Sequence, residues 1–175
     1  MENNTIETEN LILRPFNMED VSDVFILSQE ESIHKWIPDQ VYKDKHETKE
    51  VLNFLISQYK EIPTPNESPY VIGIVLKETN ELIGHIGLSP IDEDVEIGYA
   101  IGENFQGNGY ATEAIKSITS WAFKNLKVSK ILGIVDSNNK ASWKALEKSD
   151  FDFVDESKRE AFGRDTLCRI YQTSK

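Results

Sequence analysis

The chain has 175 residues, 39% of them apolar and 28% charged, which is the size and composition of one globular domain with a substantial core. Its formal net charge of −11 argues against nucleic acid as the main ligand, because phosphate binding needs clustered Lys and Arg. The same charge either draws a cationic or amine-bearing partner or serves solubility alone. No run approaches the ~20 apolar residues of a membrane helix, the opening MENNTIETEN is the acidic opposite of a signal peptide, and the single Cys168 excludes a disulfide framework, so the expected compartment is the cytoplasm.

In chain order, TENLILRPF (8–16) is β-rich and stopped by Pro15, which predicts an opening strand. Asn17 can cap a first helix, with Glu19 and Asp20 in the first turn, where the helix dipole favours acids. Val21, Val24, Phe25 and Leu27 then recur at helical spacing. SIHKWIPDQ (32–40) is irregular, and a second helix is predicted through Val51, Leu52, Leu55, Ile56 and Tyr59. The three prolines of 62–69 mark a loop.

From residue 70 the apolar period becomes two. YVIGIVLKE and LIGHIGLS predict an antiparallel hairpin around the turn TNE, and DVEIGYAIG (94–102) a third strand joined through PIDED. QGNGYA (106–111) leads into a helix whose Ala111, Ile115, Ile118 and Ala122 line one face. KILGIVD (130–136) has the nearly continuous apolar character of a strand covered on both faces. A short helix in NNKASWKALEKSDF begins at Asn, and FDFV and TLCRIYQ close the chain as strands. The order β-α-α-β-β-β-α-β-α-β-β describes a mixed α/β domain spanning residues 1–175, with no repeat or internal boundary.

The segment QGNGYA carries the chemistry. A strand that enters a helix through glycines leaves the first helical N–H groups without partners, and these can hold phosphate. Gly107 and Gly109 lack Cβ atoms, so a ligand can reach the amides, although an ordinary tight turn has the same spelling. A P-loop needs a Lys that does not follow Gly109, and a dinucleotide fingerprint needs a small residue where Thr112 stands and an acid ~20 positions on. Both fail. The spelling that matches is Q/R-x-x-G-x-G/A, at Gln106, Gly109 and Ala111.

That loop resembles the acetyl-coenzyme A pyrophosphate loop of the GNAT N-acetyltransferases. VEIGYAIGENFQGNGYATEAI resembles the central strand, loop and helix of the family, and VDSNNKASWKALEKSDF its next block. LILRPFNMEDV, HKWIP and LIGHIGL are similar to the RimJ/RimL-like branch, which acetylates protein N-termini and related amines. The resemblance implies a mixed, mostly antiparallel, V-splayed sheet flanked by helices, with acetyl-coenzyme A as co-substrate and no metal. It also implies that the backbone of Gln106, Gly107, Asn108, Gly109, Tyr110, Ala111 and Thr112 holds the pyrophosphate. The strand edge at Ala100, Ile101 and Gly102 would pair with the pantetheine amides as an added strand does. Asn139 is either a helix cap or a contact to the cofactor arm.

Amine acetylation needs a neutral amine and then a proton for the thiolate. Some family members supply that proton from a Tyr where this chain has Leu146, which leaves Ser142 as substitute acid or as a capping or cofactor-contacting hydroxyl. Glu96 in VEIGY matches a family base, or is a plain strand residue; His85 on the neighbouring strand is the rival. Asp150 stands where a Gly is usual, which alters the turn into Phe151. The acceptor implied first is a peptide or protein N-terminus, by direct attack in a ternary complex, and a homodimer is compatible with it. A small cationic amine such as a polyamine or aminoglycoside, or a catalytically silent acetyl-coenzyme A sensor, are the other readings.

Overall fold

The structure is a computed structural model that describes residues 5–175; the first four residues of the acidic amino-terminal stretch lie outside it. The elements run β1 (Ile6–Glu7), β2 (Leu11–Arg14), α1 (Val21–Ser28), α2 (Glu31–Trp36), α3 (Lys45–Ser57), β3 (Tyr70–Leu76), β4 (Glu81–Ile91), β5 (Asp94–Ile101), α4 (Tyr110–Asn125), β6 (Lys130–Asp136), α5 (Lys140–Glu147), β7 (Asp152–Ala161) and β8 (Arg164–Ser174). The eight strands form one mixed sheet in the order β1-β2-β3-β4-β5-β6-β8-β7. Every neighbouring pair is antiparallel except β5 and β6, which α4 connects.

Apolar alternation puts alternate residues of the strands on opposite faces. Ile74, Ile86 and Ile97 bury one face against Ala114, Ile115, Ile118 and Ala122 of α4. The other face of β3 and β4 packs Val75 and Leu82 against Phe16 and Leu52, under α1 and α3. Among the described residues no helix is long and apolar enough to cross a membrane.

Caps set the helix starts. Asn17 accepts from Glu19 N at 2.8 Å while Asp20 accepts from Asn17 N at 2.8 Å, a capping box on the turn that enters α1. Asp20 also takes a two-pronged contact from Arg14, at 2.8 and 2.9 Å. Asp44 caps α3 by accepting from His46 N and Glu47 N, so that helix starts well before the apolar repeat does. The irregular 32–40 segment holds all but the first residue of α2 and a 3₁₀ turn at Pro38–Gln40, both too short for a period to declare itself. The two closing strands are longer than their apolar stretches, because β7 is an edge strand whose charged residues, Arg159 apart, face solvent.

The feature that positions the site is the β5–β6 ladder. Its parallel register covers only Glu96 opposite Leu132 and Ile97 opposite Gly133. Beyond Ile97, β5 stays paired with β4 as far as Ile101, while β6 continues with β8 as far as Asp136. The sheet therefore opens into a V after Ile97, and the β5 edge that faces the gap carries no strand.

Candidate active site

The gap opens into a groove of about 800 Å³, within the range of small-molecule sites. One of its walls is the glycine loop. Gly107 and Gly109 have φ of 79° and 83°, the left-handed region that favours glycine, and a Cβ on either would meet no protein atom. Gly109 is the N-cap of α4 and offers no side chain, and the first helical bond runs from Glu113 N to Gly109 O. The N–H groups of Tyr110, Ala111 and Thr112 thus precede the hydrogen-bond ladder at the positive end of a 16-residue helix.

The polar side chains of the loop brace the loop itself. Gln106 Nε2 donates to Ile101 O at 2.9 Å, and Asn108 Nδ2 donates to Phe105 O and Gln106 O at 3.0 and 3.2 Å. Ala100, Ile101, Gln106, Gly107, Gly109, Tyr110, Ala111 and Thr112 line the groove; Asn108 does not, and Gly102 borders a smaller neighbouring cavity beside His85. The spelling of the loop is therefore a scaffold for backbone donors.

The opposite wall is α5. Asn139 accepts from Ser142 N at 3.2 Å, which makes it the cap of α5, and both residues line the groove. Lys144 of α5 and Lys148, the residue that caps its C-terminal end, line the same wall. Across the gap, the Tyr99 hydroxyl donates to Ser142 O at 2.8 Å and lies 2.9 Å from Ser142 Oγ. A phenol has one hydrogen, so with that hydrogen on the carbonyl the Ser142 hydroxyl must donate to Tyr99. Burial pushes the Tyr99 phenol well above its ordinary pKa, so it stays protonated.

Replacing Ser142 by Ala should consequently cost stability, about 1 kcal/mol for a half-buried hydrogen bond, and raise KM for the acetyl donor. The turnover number should stay within ~3-fold, because the hydroxyl hydrogen is already committed. Steady-state kinetics with urea unfolding check this; a fall in kcat alone would make Ser142 the acid.

Leu146 is fully buried and sits over Gly133, where an added Cβ would come 2.6 Å from its Cδ1. It is a core residue with no access to the groove. Leu146→Tyr should overpack this contact, destabilise the fold by roughly 1–3 kcal/mol in denaturant titration, and give no increase in kcat.

The third part of the groove lies under α2 and the β7–β8 hairpin. Glu96, opposite Ser89 in the β4–β5 ladder, is half-buried there with Asp39 and Arg159 as charged neighbours. Burial raises its pKa above the ordinary glutamate value; Arg159 pulls it down and Asp39 adds to the rise. His85 lies opposite Ala100, and burial drives its pKa down to about 4, so it is neutral at pH 7 and a weak proton acceptor. Among the described residues no three His, Cys, Asp or Glu side chains are grouped to hold a metal ion.

Two groove-lining side chains have settings that the sequence does not state. Tyr99 reads there as a packing residue that an acceptor cleft could also use, and its partner Ser142 is 43 residues away. Arg159 sits in a charged stretch that carries no strand signal, and only the completed hairpin turns it toward the groove.

A family model for the acetyltransferase (GNAT) domain matches residues 10–152. The chain is 28% identical to the uncharacterized N-acetyltransferase p20 of Bacillus licheniformis over 150 residues, 84% of this chain and 82% of the relative. Its fold is similar to that of RimL, a ribosomal L7/L12 α-N-protein acetyltransferase in complex with coenzyme A, with TM-score 0.83 and 17% identity over 98% of each chain. The ribosomal-protein-S5-alanine acetyltransferase of Vibrio fischeri has TM-score 0.79 and 19% identity, covering 97% of this chain and 96% of its own.

Proposed function

The chain belongs to the GNAT acetyltransferase family, and from that premise we propose that it acetylates the α-amine of a peptide or protein N-terminus by direct attack on acetyl-coenzyme A in a ternary complex. The observation that carries this reading is the continuity of the groove. The amide cradle of α4 and the side chain of Glu96 open onto one cavity that passes through the split between β5 and β6. Two substrates that share this cavity can meet with no covalent relay through the protein.

The residues fit an acyl-coenzyme A. The N–H groups at the start of α4 suit a pyrophosphate, and Lys144 and Lys148 suit a further phosphate on the α5 wall. The β5 edge from Gly98 to Ile101 suits an extended chain that carries amides. Bound there, acetyl-coenzyme A supplies a thioester carbonyl to the amine. Glu96 takes the proton that the amine gives up as the N–C bond forms, directly or through water. The C–S bond breaks as it does so, and a thiolate of reference pKa ~8.5 leaves without a dedicated acid, consistent with Leu146 in the core and Ser142 bonded to Tyr99.

The peptide acceptor draws support from the structural neighbour that is an α-N-protein acetyltransferase. The exposed carboxylates of Asp39 and Glu160 on the same groove would also suit a small cationic amine. Thiol release with free and N-acetylated peptides, polyamines and aminoglycosides tests the choice. Saturable release that requires a free peptide N-terminus is expected. Release confined to polyamines or aminoglycosides would transfer the assignment to small amines, and calorimetric binding of acetyl-coenzyme A without release from any amine would make the protein a sensor.

A further inference from the structure

The β7–β8 hairpin brings one unpaired cation into the acceptor half of the groove. Of the four arginines in the sequence, Arg14 pairs with Asp20, Arg164 with Asp136 and Arg169 with Glu156. Arg159 has no carboxylate at ion-pair distance among the described residues. Its Nε is buried with no hydrogen-bond partner, while the residue lines the groove together with Glu96 and Asp39. Along β7, Ser157, Arg159 and Ala161 are the half-buried residues and Lys158 and Glu160 the exposed ones, so the strand alternation itself turns Arg159 inward.

The hairpin that presents it is fastened. Arg164 Nη2 donates to Lys35 O of α2 at 2.9 Å and reaches Asp136 at 3.4 Å, and Thr166 Oγ1 donates to Ala161 O at 3.2 Å beside the turn. Arg159 pairs with Thr166 in the ladder, two residues past the point where Cys168 meets Asp136, the last residue of β6. It therefore stands on the part of the hairpin that overhangs the gap. A buried guanidinium N–H without an acceptor is costly unless an acceptor arrives with a ligand. Glu96 feels its charge without forming the ion pair.

We propose that Arg159 is the residue that sets acceptor specificity, and that it selects primary amines carrying a carboxylate near the amine, with Glu96 on the amine and Arg159 on the carboxylate. This rests on the groove being the acetyl-transfer site. The overall charge of −11 does not oppose it. Surface charges are screened beyond about 8–10 Å in physiological salt, whereas a guanidinium in the groove meets the carboxylate at contact with two parallel hydrogen bonds. The carboxylate comes either from an acidic residue next to a peptide N-terminus or from a free amino acid.

The test measures kcat/KM for two matched pairs, Ala-Glu amide against Ala-Gln amide and β-alanine against β-alaninamide, in the wild-type protein and in Arg159→Gln. Comparing ratios between the two proteins cancels the intrinsic reactivity of each amine. The wild type should prefer the carboxylate member of at least one pair, and the preference should fall ~10-fold or more in Arg159→Gln, the size expected for a charged hydrogen bond. The pair that responds identifies the source. Arg159→Met, which keeps the aliphatic stem, replaces the Gln variant if thermal melting shows that it is not folded. Equal treatment of both pairs by the wild type, or a preference that survives in the variant, overturns the proposal. If no amine is acetylated, calorimetric titration of the same four compounds onto the coenzyme A-saturated protein decides. Carboxylate-dependent binding lost in the variant upholds Arg159 while removing the transferase reading, and binding without discrimination removes Arg159.

Discussion

Gly109→Asp should weaken acetyl-coenzyme A binding by ~100-fold or more while the protein remains folded. Gly109 is the left-handed N-cap of α4, and the space above it is open. A carboxylate there would sit at the mouth of the proposed amide cradle and repel the pyrophosphate that the proposal places in it. Two effects are mixed in this variant. The left-handed φ of 83° costs any L-residue about 1–2 kcal/mol, although Asp and Asn tolerate it better than most. Gly109→Asn carries the same strain without the charge and separates them. Calorimetric titration should find the Asn variant within ~10-fold of wild type and the Asp variant far weaker. Equal losses in the two would reduce the role of Gly109 to backbone conformation.

Glu96→Gln should reduce kcat/KM for the amine at least ~10-fold near neutral pH and leave acetyl-coenzyme A binding unchanged, since a positioned general base is typically worth ~100- to 10,000-fold. A peptide α-amine has a reference pKa of ~7.7–8.0, so part of it is already neutral at pH 7. The deficit of the variant should narrow as pH rises and free amine accumulates. Stability should move the other way. Because the folded protein holds the Glu96 pKa above its unfolded value, the folded state binds the proton more tightly than the unfolded chain. Its contribution to stability is thus fullest below the ordinary glutamate pKa and is lost as pH rises through the raised one. The Gln variant keeps a neutral group throughout, so it should melt higher than wild type at pH 7 and lose that advantage on acidification. A pH–rate profile paired with a pH–melting profile reads both effects. Overlaid rate profiles would make Glu96 a strand residue only.

Local pattern carries much of this fold. The caps at Asn17 and Asn139, the apolar face of α4 and the alternation in β3 and β4 are local properties, and each is found where the sequence places it. The glycine loop is legible for the same reason, since positive φ at Gly107 and Gly109 and bare amides at a helix start are properties of six adjacent residues. Pairing between distant segments is not legible from pattern. Nothing in DVEIGYAIG or KILGIVD states that the two strands touch over two residues and then part; the family resemblance supplies the splay. What the Gln106 side chain does is also hidden in the pattern: its Nε2 donates to the carbonyl of Ile101, which braces the loop and leaves the backbone reading of Gln106 untouched. DESKREAFGRD shows no apolar alternation because β7 is an edge strand with most of its side chains in solvent, so the hairpin that carries Arg159 is hidden by its own charges.

In the proposed reaction one groove brings acetyl-coenzyme A and a free N-terminus together for direct acetyl transfer. Mass spectrometry of a peptide incubated with the protein and acetyl-coenzyme A tests it most directly, with fragmentation to locate any added group. One acetyl group on the α-nitrogen is predicted, formed in proportion to the coenzyme A released and absent when the N-terminus is blocked. An unmodified peptide in the presence of bound acetyl-coenzyme A, or acetyl found only on lysine side chains, would contradict it.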